Sequence, residues 1–206
     1  MVRFGYVALI AASAVATALP LGQSGTALAA TATYDFEAQA PGTSTPFSIT
    51  DNGVTASFSS PADPGGFSIE TSFFSTLTGN ILFEPGPAGA SDLPLTVGFS
   101  QPIDSISLLF ALNTGDPSTP LTLLTDVGGS KSATGVIPPG FSFPEGALSF
   151  SGPAFSSVTL STSAMDLAVD DIVVKTAAAP VPEPGTWSLV SAGLGALAFV
   201  RRRKLN

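Results

Sequence analysis

Ser105-Ile106-Ser107-Leu108-Leu109-Phe110-Ala111-Leu112 decides the fold class. Side chains of a strand point alternately to opposite faces. Ile106, Leu108, Phe110 and Leu112 therefore share one face, with Ser105, Ser107 and Leu109 on the other. Outward from this stretch the period of two recurs: Leu95, Val97 and Phe99 before it, then Leu121–Leu123, Leu148–Phe150 and Val158–Leu160 after it. Pro and Gly separate the runs at Pro61–Gly66, Glu84–Pro87 and Pro138–Gly140. Asp51-Asn52-Gly53 joins Phe47–Thr50 to Val54–Ser59, and Asn-Gly suits a two-residue hairpin turn whose central residues need positive φ. Between residues 31 and about 176 no segment carries a helical period of useful length. About ten short strands separated by turns predict one all-β domain, a β-sandwich or jelly roll, over residues 30–176.

Composition removes most catalytic chemistry. The 206 residues include no Cys and no His. Disulfides, thiolate ligands, a Cys nucleophile and a Ser-His-Asp triad are therefore excluded. Carboxylate-only chemistry and oxygen-ligand metals remain. Five of the seven basic residues, Arg3, Arg201, Arg202, Arg203 and Lys204, lie at the two ends of the chain. Between them only Lys131 and Lys175 face all 15 acidic residues, a net charge of −13. Such a body repels nucleic acid and anionic lipid and attracts divalent cations, and it also serves plain solubility.

The ends read as addresses. Residues 1–29 form a secretory signal peptide: Arg3, an apolar run from Phe4 to Leu19, a break at Pro20, and Ala27-Leu28-Ala29 as the site for signal peptidase. Cleavage is expected after Ala29, with Ala30 the alternative. An uncleaved anchor helix is the competing reading, and Pro20, Gly22 and Gly25 oppose it. At the other end, residues 177–185 form a Pro-rich linker, residues 186–200 an apolar segment and residues 201–206 a basic tail. Trp187 to Val200 gives about 21 Å of helix against an apolar bilayer core of about 30 Å. Trp187 at one interface and the basic cluster at the other nonetheless predict a single transmembrane helix. Arg201, Arg202, Arg203 and Lys204 are the expected membrane stop on the cytoplasmic side, which puts the body outside.

Pro182-Glu183-Pro184, the short apolar segment and the Arg-rich end, in that order, resemble the PEP-CTERM sorting signal. The resemblance covers about the last 26 residues. It implies a Gram-negative host that makes extracellular polysaccharide. It also implies an exosortase, a membrane cysteine transpeptidase or protease, that removes the tail near the tripeptide. Pro182, Glu183 and Pro184 are then a recognition element. An ordinary tail anchor behind a proline linker is the alternative.

Two further segments, Tyr34-Asp35-Phe36-Glu37 and Leu167-Ala168-Val169-Asp170-Asp171-Ile172-Val173-Val174, resemble the opening and closing strands of calcium-containing jelly-roll carbohydrate-binding modules. That resemblance implies a structural calcium ion held by Glu37 with Asp170 or Asp171. An Asp in an apolar strand is costly to bury unless it is paired or coordinates a cation. Calcium, a solvated edge pair, and an ion pair with Lys175 or Lys131 all remain open from the residues alone. Asp63, Glu84, Asp92, Asp104, Asp116 and Asp126 sit beside Pro, Gly or Ser, where local backbone hydrogen bonds are the ordinary role.

The expected function is a non-enzymatic, exported surface or matrix component associated with exopolysaccharide or biofilm. A carbohydrate-binding module is one alternative and a carboxylate-only glycoside hydrolase or lyase another. No carboxylate pair stands out for the latter. Tyr34 and Trp187 are the only Tyr and Trp after the leader, so the rings with polar handles that sugar platforms favour are scarce. The many Phe residues of the body are expected mostly in the core.

Overall fold

Asn52 and Gly53 take φ of +46° and +77°, and Asp51 pairs with Val54 across them, so the Asn-Gly hairpin forms where the sequence puts it. The computed structural model describes residues 29–84, 93–114 and 116–178, which belong to one compact unit, Ala27–Ala179. The expected leader, sorting tripeptide, apolar helix and basic tail lie outside the described residues, apart from Ala29 and the first linker residues Ala177 and Ala178.

The described residues hold ten strands and no helix. They are β1 Thr31–Tyr34, β2 Phe47–Asp51, β3 Val54–Ser59, β4 Ser68–Thr71 and β5 Asn80–Phe83, then β6 Leu95–Leu112, β7 Pro120–Thr125, β8 Ser130–Thr134, β9 Glu145–Thr162 and β10 Leu167–Thr176. The pairings are antiparallel and join all ten into one sheet. The expectation of short strands needs correction: β6 and β9 run 18 residues each. Leu95–Phe99 and Ile106–Leu112, read as separate runs, are two halves of β6. Pro102 lies inside the strand, within the register shift between Gly98 and Ile103, where a missing N–H is tolerated.

The two halves of β6 belong to different wings. Its first half pairs with β3 and its second half with β10, while β9 follows it along both. The first wing runs β2-β3-β6-β9-β7-β8, and the second places β1 and the β4-β5 hairpin beside β10. Phe58 of β3 meets Tyr34 of β1 edge-on at 6.2 Å and Phe36 at 5.3 Å, and Phe47 stacks on Phe58 at 5.1 Å. The Tyr34 hydroxyl donates to the Val54 carbonyl at 3.1 Å across the same gap, and burial pushes its pKa up to about 12. These contacts set the wings face to face around one apolar core that takes residues from both, the arrangement of a β-sandwich.

Packing on one side leaves the other side of the first wing to hydroxyls. Val54, Ala56 and Phe58 point inward from β3, so Thr55, Ser57 and Ser59 point outward. Register carries this across the wing: Thr50 lies opposite Thr55, Ser48 opposite Ser57, Ser59 opposite Thr96, Thr96 opposite Thr159, and Thr122 opposite both Ser132 and Ser161.

Candidate cation site and aromatic surface

Strand β10 carries a bulge at its Asp pair. Its register on β6 shifts between Asp170 and Val173, and Asp171 takes φ +46°. One extra residue reverses the alternation. Leu167 and Val169 before the bulge, and Ile172 and Val174 after it, therefore all join the main core. Asp170 is left on the other face, 2 % exposed, on the side of a second small cluster of Leu77, Ile81, Ala111 and Ala168. Asp171 is exposed and donates its backbone N–H to Asp170 Oδ1 at 2.8 Å. The carboxylate that the closing strand turns inward is thus Asp170, while Asp171 shapes the bulge.

The β4–β5 loop covers this cluster, and three carboxylates from elsewhere in the chain hold its backbone. Glu145, at the start of β9, accepts from the Ser75 N–H at 2.8 Å and from the Thr76 N–H and hydroxyl at 2.6 Å each. Asp170 Oδ2 accepts from the Thr78 N–H at 3.2 Å, and Glu37 Oε1 from the Asn80 N–H at 3.1 Å. A Cβ built on Gly79 would lie 1.6 Å from Glu37 Oε1, so the absent side chain is the space the carboxylate occupies. Gly79 also takes φ +67°, which favours glycine. Among the described residues outside the Asn-Gly turn, the non-glycine residues with positive φ are Phe36 and Asp171, each adjacent in sequence to one of the site carboxylates. Such conformations are held only where the surroundings fix them, and they concentrate at functional sites.

Charge is unbalanced here. Desolvation raises the Asp170 pKa from 3.8 to about 6, the nearby negative charges of Asp171 and Glu37 add to the rise, and two backbone hydrogen bonds oppose it. Glu37 and Asp170, one of the two Asp residues that the resemblance left open, bond the backbone of Thr78 and Asn80. Their donor set suits a hard, oxygen-preferring cation, and a divalent ion there would relieve both the burial cost and the repulsion. Among the described residues no group of three or more acidic side chains is close enough to form a ligand set on its own, so further donors to such an ion would be backbone oxygens or water.

The same loop presents rings. Phe73 is 52 % exposed and packs 4.3 Å from Phe74, 5.8 Å from Phe83 and 6.1 Å from Phe143. Phe141 is 40 % exposed on the connection between β8 and β9. The expectation that the Phe residues are mostly core therefore fails at Phe73 and Phe141. Phe47, Phe58, Phe67, Phe110 and Phe155 do pack in or against the core, but Phe73 and Phe141 follow no alternation that would have turned them inward. Glu145 gave no signal in sequence, because its partners lie 69 and 70 residues away.

The other acidic residues divide. Asp63 accepts from the Gly65 N–H, and Asp116 from Ser118, as turn residues do. Asp126 instead reaches the Ser156 N–H, Asp104 lies within β6, and Glu84 is fully buried with the Leu93 N–H donating to it at 3.3 Å. Asp92 lies outside the described residues.

Comparison with known proteins adds three findings. Residues 180–204 match the model of the PEP-CTERM protein-sorting motif. No curated protein matches the chain. Among solved structures, the K1 and K2 cleaved adhesin domains of Lys-gingipain, the first from Porphyromonas gingivalis W83, are similar at TM-score 0.48, with 11 % and 14 % identity. They cover 72 % and 70 % of this chain and 99 % of their own. A non-crystalline-cellulose-specific carbohydrate-binding module, CBM28, is similar at TM-score 0.33 and 7 % identity, over 58 % of this chain and 84 % of its own. The tail expected from Pro182-Glu183-Pro184 and its basic end is thus a PEP-CTERM protein-sorting motif, and the chain that carries it is an exported protein with an all-β domain ahead of the motif.

Proposed function

We propose that this protein is a non-enzymatic component of the cell surface or extracellular polysaccharide matrix, delivered by signal peptidase and exosortase. The membrane-held precursor keeps its body outside the cytoplasm until the tail is cut near Pro182-Glu183-Pro184. The released domain then works by binding, with extracellular polysaccharide as its partner and no role for nucleic acid.

The observation that carries the reading is the use of the carboxylates. Glu37, Asp170 and Glu145 all hold the backbone of one loop, and that loop displays Phe73 at the surface, packed on the half-buried Phe74. Asp170 and Glu145 are buried and Glu37 is exposed, yet all three serve architecture, and the architecture stiffens a ring surface. Rigid rings suit binding, because little freedom is lost on contact. We assign one structural calcium ion to Glu37 and Asp170. Its role would be to tie the segment after β1 and the last strand to the β4–β5 loop. The exposed rings also favour the second reading, a carbohydrate-binding module.

Cell fractionation tests delivery and destination together. In a producing host with an exosortase, the wild-type protein should lose its tail and co-purify with the host's polysaccharide. A variant with Pro182, Glu183 and Pro184 all changed to Ala should stay in the membrane at full precursor mass. An alanine variant that reaches the surface at the wild-type mass ends the sorting reading. A processed protein that never associates with the host's polysaccharide ends the matrix reading.

A further inference from the structure

The outward face of the wing β2-β3-β6-β9-β7-β8 forms a surface of one chemical kind. Cross-strand rows run Thr50–Thr55, Ser59–Thr96–Thr159 and Ser161–Thr122–Ser132, and none of these positions is charged. Ser48 and Ser57 bond each other at 2.9 Å, Thr50 and Thr55 at 2.8 Å, and Thr122 and Ser132 at 3.0 Å. An open depression of about 390 Å³, lined by Pro120, Thr122, Ser161, Thr162 and Ser163, lies at the β7–β9 end of this face. Leu124, 51 % exposed, adds an apolar spot on the same strand.

We propose that this face docks a neutral polysaccharide chain, with the depression seating its sugar rings. The proposal rests on reading the domain as a matrix-binding module and gives that reading a site and a partner class. Three properties select the occupant. A hydroxyl both donates and accepts and rotates to suit its partner, which matches a polymer that is itself a row of hydroxyls. The face carries no cation to pair with an anionic chain, and the domain over residues 30–176 has 14 acidic residues against Lys131 and Lys175, a net charge of −12, so acidic glycans are repelled. Protein partners favour surfaces with an apolar, aromatic or Arg-rich centre, which this wing lacks. Hydroxyls recur about every 4.8 Å across strands and about every 6.8 Å along them. A long chain thus meets many weak contacts at once, and bridging waters can fill mismatches.

The test uses full-length protein processed in an exosortase host, in affinity electrophoresis against two neutral glucans, dextran and hydroxyethyl cellulose, and the anionic alginate. The wild type should be retarded by at least one neutral glucan and not by alginate. Changing Thr55, Thr96, Thr122 and Thr159 together to Val keeps side-chain shape and strand preference while removing four hydroxyls. It should weaken binding at least tenfold with little change in melting temperature. Ser161→Glu, at an exposed position, should give a similar loss without burdening the fold. Phe73→Ala with Phe143→Ala serves as the second arm. Binding that survives both hydroxyl-face changes but disappears in the Phe variant overturns this inference and leaves the matrix reading standing. Alginate preference, or no retardation by either neutral glucan, also overturns it, whereas failure to bind the host's own polysaccharide would end the broader reading.

Discussion

The space between the two wings and the seat of the β4–β5 loop hold the chain by different means. Between the wings, Tyr34, Phe36, Phe47 and Phe58 meet ring to ring. The Tyr34 hydroxyl donates to the Val54 carbonyl in the interior, and at the exposed edge the Thr33 N–H donates to Asp51 and the Asn52 amide to the Thr31 carbonyl. Under the loop the apolar cluster is small, and backbone N–H groups of the loop are held by donating to Glu37, Asp170 and Glu145. Burial of rings is indifferent to pH and to ions in this range, whereas the buried Asp170 carboxylate responds to both. The first region supplies stability and the second supplies adjustable positioning.

Phe58→Ala should break the wing core. Phe58 is fully buried, so the loss should be about 3–5 kcal/mol in denaturant unfolding, equal at pH 5 and pH 7. A loss that changed markedly with pH would erase the contrast between the regions.

Gly79→Ala should cost about 1–3 kcal/mol, since it forces a side chain into a left-handed conformation and into the Glu37 carboxylate. It should also remove any rise in melting temperature produced by millimolar calcium over EDTA. An unchanged calcium response in this variant, or none in the wild type, would dismiss the cation site.

The smallest effect concerns Asp170. Its folded-state pKa, about 6, lies above the ordinary 3.8, so the folded domain holds an extra proton between these values. In EDTA the stability this group contributes is therefore full below pH 3.8, declines as pH rises, and is gone above about 6. Asp170→Asn should flatten that part of the stability profile. Calcium, which needs the ionised form, should stabilise the wild type more at pH 7 than at pH 5. An identical pH profile in Asp170→Asn would move the charge effect elsewhere.

Local patterns were legible because each is written within a few residues. The alternation around Ile106–Leu112, the Asn-Gly turn and the three-part tail needed no knowledge of the rest of the chain. The association of Glu37 with Asp170 or Asp171 came from resemblance to the ends of a known module, and the fold brings Glu37 and Asp170 to the same loop. Glu145 and the exposed Phe73 escaped notice because neither breaks a periodic pattern: one is an acid at a strand start, the other an apolar residue in a loop.

By itself the sequence determined the all-β class and the sorting motif, since side-chain alternation and short ordered signals are properties of the chain alone. Only the tertiary structure decided which of two adjacent acids turns inward. One extra residue in β10 reverses the alternation, and that bulge exists because β6 fixes the register on either side of it. Register also decided that Ser and Thr residues far apart in sequence line one face of a wing, because strands from Phe47 to Thr162 must be paired before their outward positions become neighbours.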